Sequence, residues 1–211
     1  MARKADPKKP KEILAAATRV FAQKGYAAAR IIEVAEAAGV GKGTIYEYFR
    51  SKEDLFFSVF ESMMRGIAES MSQTAGSLEG SFADRMKGLS DYIVLSWLEQ
   101  LDTYALVMEF WSATASSPSR NQFKRVFRQG YRQLRTVIYD LIETAKSTRD
   151  VADDIDAHQV ASALVGTWDA LLLQAWLDPE FDALAASRSF LNVVLKGLSS
   201  ATPMVLPHGR L

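Results

Sequence analysis

Apolar side chains recur along this chain at i, i+3, i+4 and i+7, the spacing of one face of an α-helix. Ile13, Leu14, Ala17, Val20 and Phe21 keep that rhythm, and Gly25 stands where a helix ends on a C′ glycine. Val34, Ala35 and Ala38 make the apolar face of a short helix, and Ile45 and Phe49 that of a second. Leu55, Phe56, Val59, Phe60, Met63, Met64, Ile67 and Met71 carry the pattern through a long helix. Ser51, with Asp54 three residues on, gives that helix a start like a capping box. Further helices are predicted over about 82–99, 103–115, 118–147, 157–177 and 183–198. Gly76 and Gly80 bracket a loop, and Asp178-Pro179 separates the last two helices. No sustained two-residue alternation argues for a sheet, so the fold class is all-α. The segment 202–211, with two prolines and a glycine, reads as a flexible tail.

The run from Val160 to Leu177 is apolar on more than one face, whereas a surface helix needs one stripe. An Asp at its middle, Asp169, is costly in lipid, so it is read as a doubly buried helix rather than a membrane span. Leu164, Trp168, Leu171 and Ala175 form one face, and Ala163, Gly166, Ala170 and Gln174 form a second, of small residues. With the broad stripe of the last helix, including Phe190, Leu191 and Val194, this second face predicts a four-helix interface between two copies of the chain.

Composition narrows the chemistry. The absence of cysteine excludes disulfides, thiolate metal sites and a cysteine nucleophile, and fits a reducing compartment, read as the cytoplasm. The basic opening MARKADPKKPKE has no apolar run behind it and is not a secretory signal. Two histidines leave little material for a metal site or triad, and no base is placed to activate a serine, so neither an enzyme nor a cofactor is expected. Asp153-Asp154-Ile155-Asp156 reads as a loop whose Asp156 caps the next helix, not as a metal cluster.

Twenty-five Lys+Arg against 25 Asp+Glu sum to zero, which hides a division. Residues 1–56 hold 11 basic and 7 acidic side chains, and the remainder 14 and 18. A basic module of residues 1–56 therefore precedes an acidic helical body over 57–201. In the module a short helix, a Gly39 turn and a second short helix make a helix-turn-helix. Gly39 stands where φ > 0 is needed, and the small Ala35 lets the helices cross closely. The second helix opens Gly41-Lys42-Gly43-Thr44, small and polar, so that backbone N–H groups approach a phosphate. Thr44 offers a hydroxyl and a methyl at a base edge, Tyr46 and Tyr48 bring phenols, and Lys52 reaches backbone on the other flank. The cluster Arg3, Lys4, Lys8, Lys9 and Lys11 is a candidate arm along DNA.

The segment resembles the TetR family of transcriptional regulators. The resemblance is carried by the helix from Ile13 to Phe21, Gly25-Tyr26, Val34-Ala35, Ala38-Gly39-Val40, Lys42 to Tyr46, Phe49, Ser51-Lys52 and Leu55. It implies a homodimer that places the Lys42–Tyr48 helices in successive major grooves of an operator, about 34–36 Å apart, and leaves DNA when a small molecule binds the body. Two departures stand out. Arg30 occupies the position where the family usually has Thr, which offers a phosphate contact at the expense of the helix cap, and Gly41 stands where Ser is common. In the body Met64, Trp97, Tyr104, Met108, Trp111, Phe127, Tyr131 and Trp168 are candidates to line a pocket for an apolar or aromatic effector. The competing reading is a small helical carrier or enzyme using the same aromatic cavity without DNA.

Overall fold

The computed structural model describes residues 8–199. Among them are nine α-helices and no β-strand: α1 (Lys9–Ala28), α2 (Ile31–Ala37), α3 (Lys42–Tyr48), α4 (Lys52–Ser77), α5 (Phe82–Leu98), α6 (Tyr104–Ser116), α7 (Arg120–Ser147), α8 (Ala157–Leu177) and α9 (Ala183–Leu198). A 3₁₀ turn at Leu101–Thr103 leads into α6. The predicted helices match in number and order. The bounds shift by a few residues: α1 continues past a kink at Gly25 to Ala28, α7 starts at Arg120, and α4 runs on through Gly76 to Ser77, so the loop begins after Ser77 and, of Gly76 and Gly80, only Gly80 (φ 98°) has a loop conformation. The tail 202–211, and Arg3 and Lys4, lie outside the described residues.

The contacts divide the chain into two compact units. Among the described residues, one holds 8–70 together with Ser96–Gln133, and the other holds Met71–Leu95 and 134–199. The long helices α4, α5 and α7 each contribute to both.

The core of the first unit is aromatic. Phe21, Phe56, Phe60, Phe110 and Phe123 are all buried. Phe56 meets Phe21 edge-on at 5.3 Å and Phe110 at 4.6 Å, geometries that add to plain area burial. Ile13, Ala16 and Ala17 of α1, Val34 and Ala35 of α2 and Ile45 of α3 complete it, which is why the three short amphipathic patterns fold as one body.

In the second unit α8 and α9 pack on each other. Leu164, Trp168, Leu171 and Ala175 are buried, as the apolar spacing requires, while Ala163, Gly166, Ala170 and Gln174 are exposed. Asp156 caps α8, its carboxylate accepting the N–H groups of His158 and Gln159 at 3.0 and 3.2 Å. The α8 helix is long and apolar enough to cross a membrane by length and composition (mean hydropathy 1.3), but eight of its side chains are buried against this unit.

Candidate functional site

The α2–α3 corner is built by backbone chemistry that only glycine completes. Gly39 lies at φ 64°. Val40 N–H donates to the Ala35 carbonyl at 3.0 Å and Gly39 N–H to that of Glu36 at 3.1 Å, the paired bonds of a Schellman ending. With Ile45 and Phe49 buried, the opposite side of α3 is left to solvent: Gly41, Lys42, Gly43 and Tyr46 are exposed, and Thr44 and Tyr48 are half-buried. A Cβ added at Gly41 or Gly43 would meet nothing within 4 Å, so no internal packing accounts for the absence of a side chain there. The face is smooth enough at its start for backbone N–H groups to reach an anion, and carries an ammonium, a hydroxyl and two phenols beyond it.

Two of the predicted DNA contacts, Arg30 and Lys52, also have partners within the chain. As expected, the Arg30 side chain makes no cap bond to α2, and only the return bond of a capping box is present. The Glu33 carboxylate reaches back to accept the Arg30 N–H at 3.0 Å, and the same carboxylate holds the Arg30 guanidinium at 2.8 Å and the Lys24 ammonium at 3.0 Å. An arginine side chain cannot accept a bond, so the N-cap residue contributes its backbone N–H to Glu33 and no side-chain acceptor to the first turn. These bonds, those from Arg30 foremost, hold the Glu33 carboxyl down at about 2. The guanidinium stays 72% exposed. Lys52 in turn binds the Ala27 carbonyl at 3.1 Å and lies 4.6 Å over the Tyr26 ring. Its ammonium ties the start of α4 to the end of α1.

Also in the first unit is an open groove of about 570 Å³ between α6 and α7, lined by Trp111, Asn121, Lys124, Phe127, Arg128 and Tyr131. Phe127 meets Trp111 edge-on at 6.0 Å and stacks with Tyr131 at 6.2 Å. Three of the eight predicted lining residues thus come together. Met64 rests its methyl group at Gly130, beside Tyr131. Tyr104 is buried, edge-on to Trp97 at 6.1 Å. Trp168 is a strut of the second unit, its indole N–H donating to buried Ser90 at 3.1 Å, and Ser90 pairs with buried Ser187 at 2.9 Å. Its aromatic bulk at helical spacing belongs to the core.

The match to family models decides what these features belong to. Residues 13–59 match the model of bacterial regulatory proteins of the tetR family, and residues 94–198 match the C-terminal model of BetI-type transcriptional repressors. The chain belongs to the TetR family. It is accordingly a ligand-responsive, DNA-binding transcriptional repressor, with α2 and α3 as its helix-turn-helix. It is 27% identical over 188 residues to the transcriptional repressor DhaR of a Mycobacterium species, covering 88% of this chain and 89% of that one. A TetR regulator of Haloarcula marismortui superposes with a TM-score of 0.79 at 20% identity, over 92% of this chain and all of the other. The regulator FadR of Bacillus subtilis, solved with stearoyl-CoA, superposes with a TM-score of 0.66 at 23% identity, over 89% and 98% of the two chains.

The sequence reading missed the cations of the TetR chain's own groove. Between Arg120 and Tyr139 there are six basic residues and no acidic one, a signal concealed by the acidic sum over residues 57–211. Arg120, Lys124, Arg125 and Arg128 are exposed, and none forms an ion pair among the described residues. On the α9 side, Leu191, expected at a dimer interface, is buried within its own unit, while Phe190 is exposed and Val194 half-buried.

Proposed function

We propose that this repressor acts in the cytoplasm as a homodimer whose residues 1–56 are the reading heads and whose α6–α7 groove receives the effector. The observation that carries the DNA part is the exposed face of α3 opposite buried Ile45. Gly41, Gly43 and Lys42 meet phosphate, Thr44, Tyr46 and Tyr48 work at base edges and backbone, and Arg30 and Lys52 hold the flanks. Two heads engage half-sites about 34–36 Å apart. The exposed small-residue face of α8, with Phe190 and Val194 of α9, supports the four-helix dimer contact, as do exposed Val193 (69%) and Leu177 (67%).

The groove favours an effector with an apolar or aromatic part for Trp111, Phe127 and Tyr131 and an anionic part for Lys124 and Arg128. Stearoyl-CoA, bound by the Bacillus subtilis protein of the same fold, has that chemistry. Ligand pressing on the groove displaces α6 and the packed α4, and a change in head separation lowers affinity for an operator of fixed spacing. The coupling is about 1–3 kcal/mol and reciprocal.

Fluorescence anisotropy on DNA flanking the gene tests both parts. The parent protein binds. Lys42→Ala with Tyr48→Ala abolishes binding while a sizing column still reports a dimer. Stearoyl-CoA weakens binding by about tenfold, and Lys124→Ala with Arg128→Ala removes that response. An operator affinity indifferent to the α3 substitutions would overturn the reading-head assignment; indifference to stearoyl-CoA would overturn that effector class.

A further inference from the structure

The regular part of α1 stops at Gly25, at φ 74° and ψ 160°. The break releases the Tyr26 N–H from the helix ladder. It is taken by a residue 83 positions away: both carboxylate oxygens of Glu109, in the middle of α6, accept it, at 3.0 and 2.7 Å. Position 25 favours glycine for its backbone, and a side chain there would push the Glu109 carboxylate away. The Gly25 φ is left-handed, and a Cβ there would stand 2.8 Å from Glu109 Oε1. The tie ends where the head is assembled, since the Tyr26 ring lies 4.5 Å from that of Phe56 and beneath the Lys52 ammonium. A second strut runs the other way. Glu53 of α4 accepts the Ser117 hydroxyl, from the corner between α6 and α7, at 2.7 Å.

Glu109 and Trp111 are two residues apart on one helix, about 200° of rotation, and so on opposite sides of it. Trp111 lines the groove and Glu109 holds the end of α1. The α6 helix therefore stands between the groove and the head as a rigid spacer. We propose that Glu109 is the positioning residue through which α6 sets the placement of the α1 end, and with it of α2 and α3. This rests on the reading of the heads as a spaced pair on DNA. Filling the groove against Trp111 shifts Glu109 relative to Tyr26, and the head moves with it.

The test separates position from stability. Anisotropy is read on the operator and on the same DNA with one base pair inserted between the half-sites, a shift of about 3.4 Å. The parent protein discriminates strongly between them. Glu109→Ala is expected to bind the operator about tenfold more weakly, the scale of a lost charge-assisted hydrogen bond, and to lose most of that discrimination. Glu109→Gln, which keeps an acceptor, restores much of both. Glu109→Asp retains the charge but is a methylene too short and behaves as alanine does; it serves if the alanine variant does not fold. Hydrogen exchange on the free protein gives a DNA-independent arm: Tyr26 and the amides over 30–49 exchange faster in Glu109→Ala, and those of α8 do not. A variant with a rapidly exchanging Tyr26 amide, unchanged exchange over 30–49 and parental spacing discrimination would overturn the proposal. A parent protein indifferent to spacing would overturn the paired-head reading instead, leaving exchange over 30–49 to decide the role of Glu109.

Discussion

The α2–α3 corner and the α8–α9 pair are each two packed helices with one side buried and one exposed, and their exposed sides differ in kind. That of α3 is a glycine-smoothed surface with an ammonium, a hydroxyl and phenols. That of α8 is small and nearly uncharged, beside exposed Phe190 and Val193 of α9. The buried sides are alike, so they report only that the helices fold. What a helix leaves uncovered reports what it is for: polar donors on a glycine-smoothed face suit a polyanion, and small apolar residues suit another helix at close range.

The contrast can be broken first at its supports. Trp168→Ala removes the strut from α8 to Ser90 and leaves Ser90 and Ser187 beside a cavity. It is expected to cost about 3–5 kcal/mol in urea unfolding, whereas Trp111→Ala, at a side chain 50% exposed, costs about 1 kcal/mol or less. Equal losses would mean that Trp111 belongs to the core as well. Next in size, Ala170→Arg places a charge on the small face of α8. Sedimentation should show monomers, and operator affinity should fall by about a hundredfold while unfolding is little changed. A dimer that survives it removes α8 from the interface.

Smaller still, Gly39→Ala places a methyl group at φ 64° with nothing within 4 Å to clash, so it carries only the backbone penalty of about 1–2 kcal/mol. Gly41→Ala, with ordinary φ, should leave stability within about 0.5 kcal/mol and weaken DNA binding. If the two glycines respond alike in urea, the turn chemistry assigned to Gly39 is wrong. The least effect is electrostatic. Glu33 has a lowered carboxyl pKa, so what it adds to α2 is present at pH values above the ordinary carboxylate range, near 4.5, and is lost as pH falls through about 2. An NMR titration should place its midpoint near 2, and Glu33→Gln should abolish the dependence in that window. A midpoint near 4.5 would mean that the bonds from Arg30 and Lys24 do not persist in solution.

The corner was legible because its causes are local. Gly39, the spacing of Val34, Ala35, Ile45 and Phe49, and the Ser51–Asp54 start all act within a few residues; the Asp54 N–H does donate to the Ser51 hydroxyl at 3.0 Å. The Asp54 carboxylate, in return, takes the N–H of Arg50 at 2.8 Å, one residue before the expected partner. Trp168 and Leu191 misled because periodicity marks a side chain as inward without saying what it meets. The tie from Glu109 to Tyr26 leaves no periodic trace at all, since one partner is a backbone N–H and the other lies 83 residues away. The cations of α7 were hidden by summing charge over a body whose acidic residues lie elsewhere.

The half-exposed indole of Trp111 also gives the molecule an optical handle. Of its four tryptophans, Trp111 lines the groove and Trp168 is sealed against Ser90. Emission from the first reaches the red of the spectrum and is open to acrylamide; emission from the second is shielded. Occupation of the groove should therefore quench or blue-shift one component of the intrinsic fluorescence and leave the other unmoved, so that ligands can be ranked on the unlabelled protein before any operator is known.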